Sequence, residues 1–243
     1  MIIKTAHNSG LWTEVGTDAF NRNVKRMRQD GRTIVTRTEL TSADSTKHLK
    51  IRNDGWGVYH PITKYGPANC AIEWDQSVWK RLDKGYLELT DIRIKTKKGF
   101  LQPPSILVWV VLEHRRTGLE VLVSVAHHNL DNTPLRAQAW REEGATLVAF
   151  HKASARKHPK RKRIHQGDLN KNWRETDERN AVMAHYVAPG MMNAWKTGIP
   201  ARGGTHGPRG LIDHIITDGV GTCRLLQDDG SSDHRPIEGR IIV

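Results

Sequence analysis

Cysteine is nearly absent from this chain: two in 243 residues, Cys70 and Cys223, far apart and outside any C-x-x-C pair. That excludes a disulfide framework and a cysteine zinc site, and leaves two free thiols. Long apolar runs are missing as well. No segment approaches the ~20 apolar residues of a membrane span, and the opening "MIIKTAHNSG" has only a two-residue apolar run, too short for the centre of a secretory signal. A soluble cytoplasmic protein without a membrane role is expected. There is no internal repeat and no long Pro-, Gly- or Ser-rich linker, so one domain over 1–243 is expected.

Acid is the scarcer charge: 26 Asp and Glu stand against 38 Lys and Arg, a formal net charge of +12. This balance favours anionic partners, nucleic acid or phosphorylated molecules, and nothing implies a protein partner. With 37% hydrophobic residues the chain is long enough for a sizeable core.

Periodicity then sets the order of elements. "MIIKTAH" predicts a first strand ending at Asn8, and residues 16–31 space Phe20, Val24 and Met27 as a helix stopped by Gly31. "TIVTRTEL", 33–40, is a β-branched run ending at Glu39. Residues 55–62 and 68–74 flank "YGP" as a hairpin or meander. Residues 105–114 and 119–128 flank "RRTG", and their near-continuous apolar character predicts a hairpin covered on both faces. A helix is predicted over 133–155, a strand at "RIHQGD", a short helix at "ERNAVMAHYVAPG", and strands at "GLIDHIITDG" and "RPIEGRIIV". Residues 198–210 read as a loop.

Polar residues stand where the predicted strands stop: Asn8, Glu39, His127 or His128, Asp168 with Asn170, Asp213, and Asp233 with His234. Singly, each is explained by a turn or a cap. As a set they suit phosphodiester hydrolysis. The phosphate repels a nucleophile, so a hard cation on oxygen ligands helps, and Glu39 with Asn8 could supply them. Asp168 could orient or deprotonate the attacking water while Asn170 donates to a phosphate oxygen. Histidines could donate to the charged oxygens if a carboxylate holds their tautomer, as Asp213 could for His234.

The ordered motifs "TAHN", "RTEL", "VSVAHHNL", "GDLN", "LIDHI" and "SDHRPI" together resemble the endonuclease/exonuclease/phosphatase superfamily, from residue 8 to residue 236. The resemblance implies a four-layered α/β sandwich of two mainly antiparallel sheets packed face to face and flanked by helices. It implies Glu39 as the principal Mg2+ ligand, with Mn2+ as a possible substitute, Asp233 as the second metal-site carboxylate, and Asn8 as a metal-site or phosphate-site asparagine. Asp168 and Asn170 look like the water-orienting acid and phosphate-binding amide, and His234 like the catalytic histidine held by Asp213. "AHHNL" departs from the family pattern by offering two histidines. Strand alternation places His127 in line with Val121, Val123 and Val125 and selects it as the catalytic histidine, with His128 as the alternative for that role and otherwise a substrate contact; Glu73 and Asp75 are both candidates for the paired acid.

The implied activity is that of a metal-dependent nuclease in which a water attacks phosphorus directly, with no residue suggesting a covalent intermediate. The alternatives are a phosphatase acting on a small molecule or lipid headgroup, and a nucleic-acid-binding module without turnover. The Pro-Ala-Trp-Cys-Asp-Arg signature of the inositol-phosphatase branch is replaced here by "PRGLIDHI". Residues 155–163 carry six Lys or Arg, namely Arg156, Lys157, Lys160, Arg161, Lys162 and Arg163. Leading into the "GDLN" strand, they suggest contact with a nucleic-acid backbone. Trp56, Trp173 and Trp195 stand near loops, where a ring could stack on a base, although core packing is the commoner fate.

Overall fold

A computed structural model describes residues 1–10, 12–40, 49, 54–95, 99–200, 203–207, 210–227 and 232–243. Strand β1 (Ile2–Ser9) is followed by helix α1 (Trp12–Met27) and by β2 (Ile34–Thr38), which pairs with β1 in parallel. A parallel pair needs such a crossover, because a tight turn can only join antiparallel neighbours. The same unit recurs later: β9 (Glu120–His127), α2 (Pro134–Lys157) and β10 (Lys162–Asp168), with β9 and β10 parallel. Helix α2 starts where Thr133 Oγ1 accepts from Arg136 N at 3.3 Å and Pro134 needs no donor partner.

All remaining pairings in the two large sheets are antiparallel. The first sheet adds β3 (Trp56–Tyr59), β6 (Ala71–Asp75), β13 (Val220–Leu225) and β14 (Ile237–Ile242), in the order β13-β14-β1-β2-β6-β3. The second adds β7 (Trp79–Glu88), β8 (Ile106–His114), β11 (Met192–Asn193) and β12 (Asp213–Thr217), in the order β11-β12-β10-β9-β8-β7. A two-residue pair, β4 (Ile62–Thr63) with β5 (Gly66–Pro67), stands apart.

The sheets stack on one another, and Thr5 of β1 and Thr36 of β2 both reach Gln166 of β10, at 3.0 and 2.8 Å. Outside the first sheet, Phe20 and Val24 of α1 meet Leu40, Leu49 and Ala71, while Met27 meets Ala6 and Val35. Outside the second lie Trp140 and Leu147 of α2 and Val182 of α3 (Thr176–His185). The result is four layers, helix, sheet, sheet, helices, as the family resemblance implied. Burial on both faces explains the apolar β8–β9 hairpin: each of Val108, Val110, Val123 and Val125 is fully buried.

Three strands of the two large sheets escaped the sequence reading: β7, β13 and the two-residue β11. β7 is an edge strand with Lys80, Arg81, Leu82, Asp83 and Lys84 exposed, a charged rim that discourages pairing with another chain. β13 is the opposite kind of edge, a short strand after a turn. The 198–210 segment is loop among its described positions, with 201–202 and 208–209 outside them. Cys70 is buried and Cys223 half-buried, both free. Among the described residues no helix is long and apolar enough to cross a membrane.

Candidate active site

Alternation decides which face each strand end presents. In the β9–β10 register Ser124 pairs with His165, and Ser124 Oγ lies 3.1 Å from Nε2 of His151 on α2. The intervening set, Val121, Val123, Val125 and His127, therefore faces the other sheet, as do Ile164, Gln166 and Asp168. His127 and Asp168 are directly opposite in register. Close approach of the strands is permitted by Gly167: a Cβ there would sit 2.2 Å from Ala126 O.

At the carboxyl ends of β2, β9 and β10 the side chains converge. His127 Nε2 lies 3.6 Å from Asp168 Oδ2 and 3.8 Å from Glu39 Oε1, and His234 Nε2 lies 4.0 Å from Asp168 Oδ2. Glu39 and Asn170 both adopt the left-handed backbone region, with φ of 60° and 52°. For glutamate that conformation costs on the order of 1 kcal/mol or more and persists only where surroundings impose it. Asp168 Oδ1 accepts from Asn170 N at 2.7 Å, closing the turn, and Asn170 Nδ2 donates to His128 O at 2.7 Å. One amide hydrogen of Asn170 is thus used on the backbone.

Asp213, on β12 beside β10, accepts from His234 Nδ1 at 2.8 Å and from Ser9 Oγ at 2.6 Å, and faces His7 Nε2 at 3.3 Å. Burial raises the Asp213 pKa, but the charge and hydrogen bond of His234 outweigh it and hold the carboxyl well below its usual range. Burial likewise opposes a proton on His234, yet Asp213 lifts its pKa to about 10. Asp168 moves the other way: burial, then the negative charge of Asp213, push it well above the usual carboxylate range. His127 is driven down, first by burial and then by His128 and His234. The cluster thus separates a charged imidazolium–carboxylate pair from a basic carboxylate and a neutral imidazole.

Several sequence expectations sit differently in space. Asn8 points to the helix side of β1: its Oδ1 accepts from Asn23 of α1 at 3.0 Å, and its Nδ2 donates to Ser9 O and His234 O. It braces the cluster from behind. Asp233 stands half-exposed at the mouth, 3.7 Å from His206 Nε2. His128 borders the cavity, but its ring is buried edge-on against Tyr186, 4.7 Å between centroids, with Nδ1 3.3 Å from Glu143 Oε2. Among the described residues neither Glu73 nor Asp75 pairs with a histidine: Glu73 binds Arg28 and Arg37, and Asp75 caps the turn at Ser77.

The basic run is displaced furthest. Lys162 opens β10 and Asp168 closes it, which at ~3.3 Å per residue separates them by about 20 Å. Arg156, Lys157 and Lys160 are exposed at that far end, Arg161 pairs with Glu120, and Arg163 is buried against Asp218, His151 O and Pro189 O. Trp173 and Trp195 are core residues, 2% and 0% exposed, and Trp56 packs beside the Ala6–Met27 cluster under the Arg28 guanidinium, so none is a base-stacking platform.

Glu143, His7, Ser9 and His206 were missed. Glu143 had a signal: with Trp140, Gly144, Leu147 and His151 it lies on the buried stripe of α2, where an acid demands a partner. It finds His128 and Asn129 N, at 3.3 and 3.0 Å.

The cluster lines a cavity of about 780 Å³ whose described walls carry the carboxylates Glu39, Asp168, Glu178 and Asp233 and, of Lys and Arg, Arg136 alone. Such an oxygen-rich, net-acidic wall fits a hard divalent cation, and an anionic ligand would need one there. The Asp168–Asp213–His234 and His206–Asp233–His234 groups each bring three potential ligand atoms within 4.8 Å of one another.

Architecture and site together define an endonuclease/exonuclease/phosphatase fold. No protein-family model and no curated protein matches the chain in sequence. Solved structures do match in shape. An endonuclease/exonuclease/phosphatase family protein from Bacteroides thetaiotaomicron aligns over 100% of this chain and 96% of its own, at 15% identity and TM-score 0.75. TDP2 from D. rerio, solved with a single-strand DNA product, aligns over 100% and 99%, at 13% identity and TM-score 0.72. A mannosyl-6-phosphatase from Bacteroides thetaiotaomicron aligns over 99% and 100%, at 15% identity and TM-score 0.72.

Proposed function

We propose that this chain is a single-domain, divalent-metal-dependent phosphodiester hydrolase, and within that class a nuclease. The observation that carries the reading is the convergence of Glu39, His127, Asp168 and His234 on one acidic cavity. Glu39 would hold Mg2+, or Mn2+ in its place, with Asp233 at the mouth as a second carboxylate and Asn8 bracing from behind. When bound, the cation supplies charge neutralisation and Lewis-acid polarisation of a phosphoryl oxygen.

The chain's own groups account for the proton movements. Asp168, made basic by burial and by Asp213, orients a water and takes its proton as the oxygen bonds to phosphorus. His234, kept protonated by Asp213, presents Nε2–H to the phosphoryl group. As the opposite P–O bond breaks, that proton goes to the leaving oxygen. Asn170 lines the cavity and donates its second amide hydrogen to a non-bridging oxygen. His127, neutral, does the same from the Glu39 side. Displacement is direct, with no covalent intermediate.

A DNA-bound neighbour of the same shape supports a polynucleotide substrate, and the net charge of +12 would draw one in from a distance. One observation favours a second reading, a phosphatase on a small phosphorylated molecule: Arg136 is the one Lys or Arg on the described cavity wall, and the basic run lies at the far end of β10.

The deciding experiment is cleavage of supercoiled plasmid and of labelled single-stranded DNA and RNA, with Mg2+ or EDTA, beside phosphate release from monoesters. Mg2+-dependent cutting that falls at least ~100-fold in Asp168→Asn is the expected result. Monoester activity alone would transfer the chain to the phosphatases, and binding without turnover would make it a binding module.

A further inference from the structure

His206 lies outside the machinery described so far, yet the backbone delivers it to the site with some care. It forms an antiparallel bridge with His234, so the two side chains leave the ladder on the same face. The bridge is anchored on both sides. Arg235 N donates to Thr205 O at 2.7 Å, and His206 exchanges both backbone hydrogen bonds with Gly210, at 3.0 and 3.1 Å. Thr205 itself is buried, its Oγ1 accepting from Ile212 N and Asp213 N. Consequently the His206 and His234 rings stand 4.8 Å apart, and Asp233 Oδ2 lies 3.7 Å from His206 Nε2.

We propose that His206, Asp233 and His234 form a binding site for a borderline divalent cation of the zinc, cobalt or nickel kind, distinguished by its two imidazole donors from the oxygen-ligated cation at Glu39, with Asp233 the carboxylate that borders both. Two imidazoles and one carboxylate are the donors such ions prefer, whereas Mg2+ takes oxygen ligands and water. The three donor atoms already lie within 4.8 Å of one another. A tetrahedral site with bonds of ~2.0–2.1 Å needs them somewhat closer. The His206 and Asp233 side chains are about half exposed, at 52% and 49%, so both have room to rotate toward an ion. His234 is pre-oriented: Asp213 holds Nδ1, leaving Nε2 as the ligand atom in the carboxylate–histidine–metal arrangement that tunes such sites. The overlapping Asp168–Asp213–His234 group is different, because there Asp213 already spends its oxygens on His234 and Ser9.

An ion at this site replaces the Nε2 proton of His234. It therefore inhibits turnover, a consequence that rests on the proton-donor role given to His234 above. The cation binding itself does not rest on it.

The test uses tag-free full-length protein stripped with EDTA. Zn2+ is titrated calorimetrically and Co2+ by its visible absorption, each in excess Mg2+, for wild type and His206→Ala. One site per chain, weakened at least about ten-fold by the substitution, is expected; equal affinity in the two proteins overturns the proposal. In parallel, Zn2+ is added to the Mg2+-supported reaction. The zinc concentration for half-inhibition should rise at least about ten-fold in His206→Ala while its zinc-free rate matches wild type. An unchanged inhibition curve overturns the inhibitory role. If no phosphodiester is hydrolysed at all, the function proposed above fails, and the titrations still decide the site.

Discussion

Asp213 receives His234 Nδ1 on one oxygen and Ser9 Oγ on the other, at 2.8 and 2.6 Å, in a fully buried position. An isosteric amide keeps the shape but can offer only one acceptor, and its NH2 turned to His234 would demand the wrong tautomer. Asp213→Asn is therefore expected to lower kcat by about 10²–10⁴-fold with KM little changed. It should also move the alkaline limb of the pH–rate profile down. His234 holds its proton up to about 10 because of Asp213; without that charge the imidazolium is lost nearer the ordinary histidine range of about 6.5. Steady-state rates from pH 5 to about pH 10 check both points, and a limb that stays in place would show that Asp213 does not set the His234 charge. At this scale the sequence was informative where a polar residue stood at the exit or entry of a strand, as at Glu39, Asp168 and Asp213. It was uninformative where the partner came from elsewhere. Nothing local marks His206 as the neighbour of His234, because a β-bridge across 28 residues of chain is a tertiary fact. The choice of His127 over His128 could be argued from alternation. The burial of the His128 ring, with Glu143 and Tyr186 closing around it, could not.

The parallel pair β9–β10 carries His127 and Asp168 side by side, so the spacing of these two strands sets the spacing of the acid and the imidazole. Gly167 is the position where that spacing is tested, since an added Cβ would meet Ala126 O at 2.2 Å. The obstacle is backbone, which cannot rotate away. Gly167→Ala is expected to force the strand ends apart, lowering stability by about 1–3 kcal/mol in urea unfolding. Turnover should also fall at temperatures where the variant remains folded. Wild-type stability in the variant would mean the strands are looser than drawn. The contrast between elements read and missed has the same physical root. β8 and β9 are buried on both faces and announce themselves as apolar runs, whereas β7 meets solvent along its charged edge and carries no clean period. The basic run misled because neighbours in sequence on an extended strand are distant in space: the segment touching Asp168 in the chain lies at the other end of β10.

Across the whole molecule the four-layer arrangement was not legible from the elements alone, since pairing a strand with a sheet requires partners far along the chain; the motif order supplied it. What the layers create, besides the site, is a set of histidines shut away from water. His151, His165 and His214 are at most 1% exposed. Burial, the main cause in each, pushes their pKa values down, to about 3 for His151 and about 4 for His214. The unfolded chain takes up these protons near pH 6.5 and the folded chain does not. Stability is therefore complete above about pH 6.5 and falls with pH, by about 1.4 kcal/mol per unit for each histidine, until the folded value is reached. His234 has the opposite sign: with its folded pKa raised to about 10, its contribution is full below about pH 6.5 and is lost as pH rises through that window. The net curve mixes the two, so the clean measurement is a difference. Urea unfolding of metal-free wild type and His151→Gln at pH 7.5 and pH 5.5 should show the variant losing about 1.4 kcal/mol less between the two, its amide still reaching Ser124 Oγ in place of Nε2. Parallel losses would mean that His151 takes up its proton in the folded state, and that water reaches the layer between α2 and the second sheet.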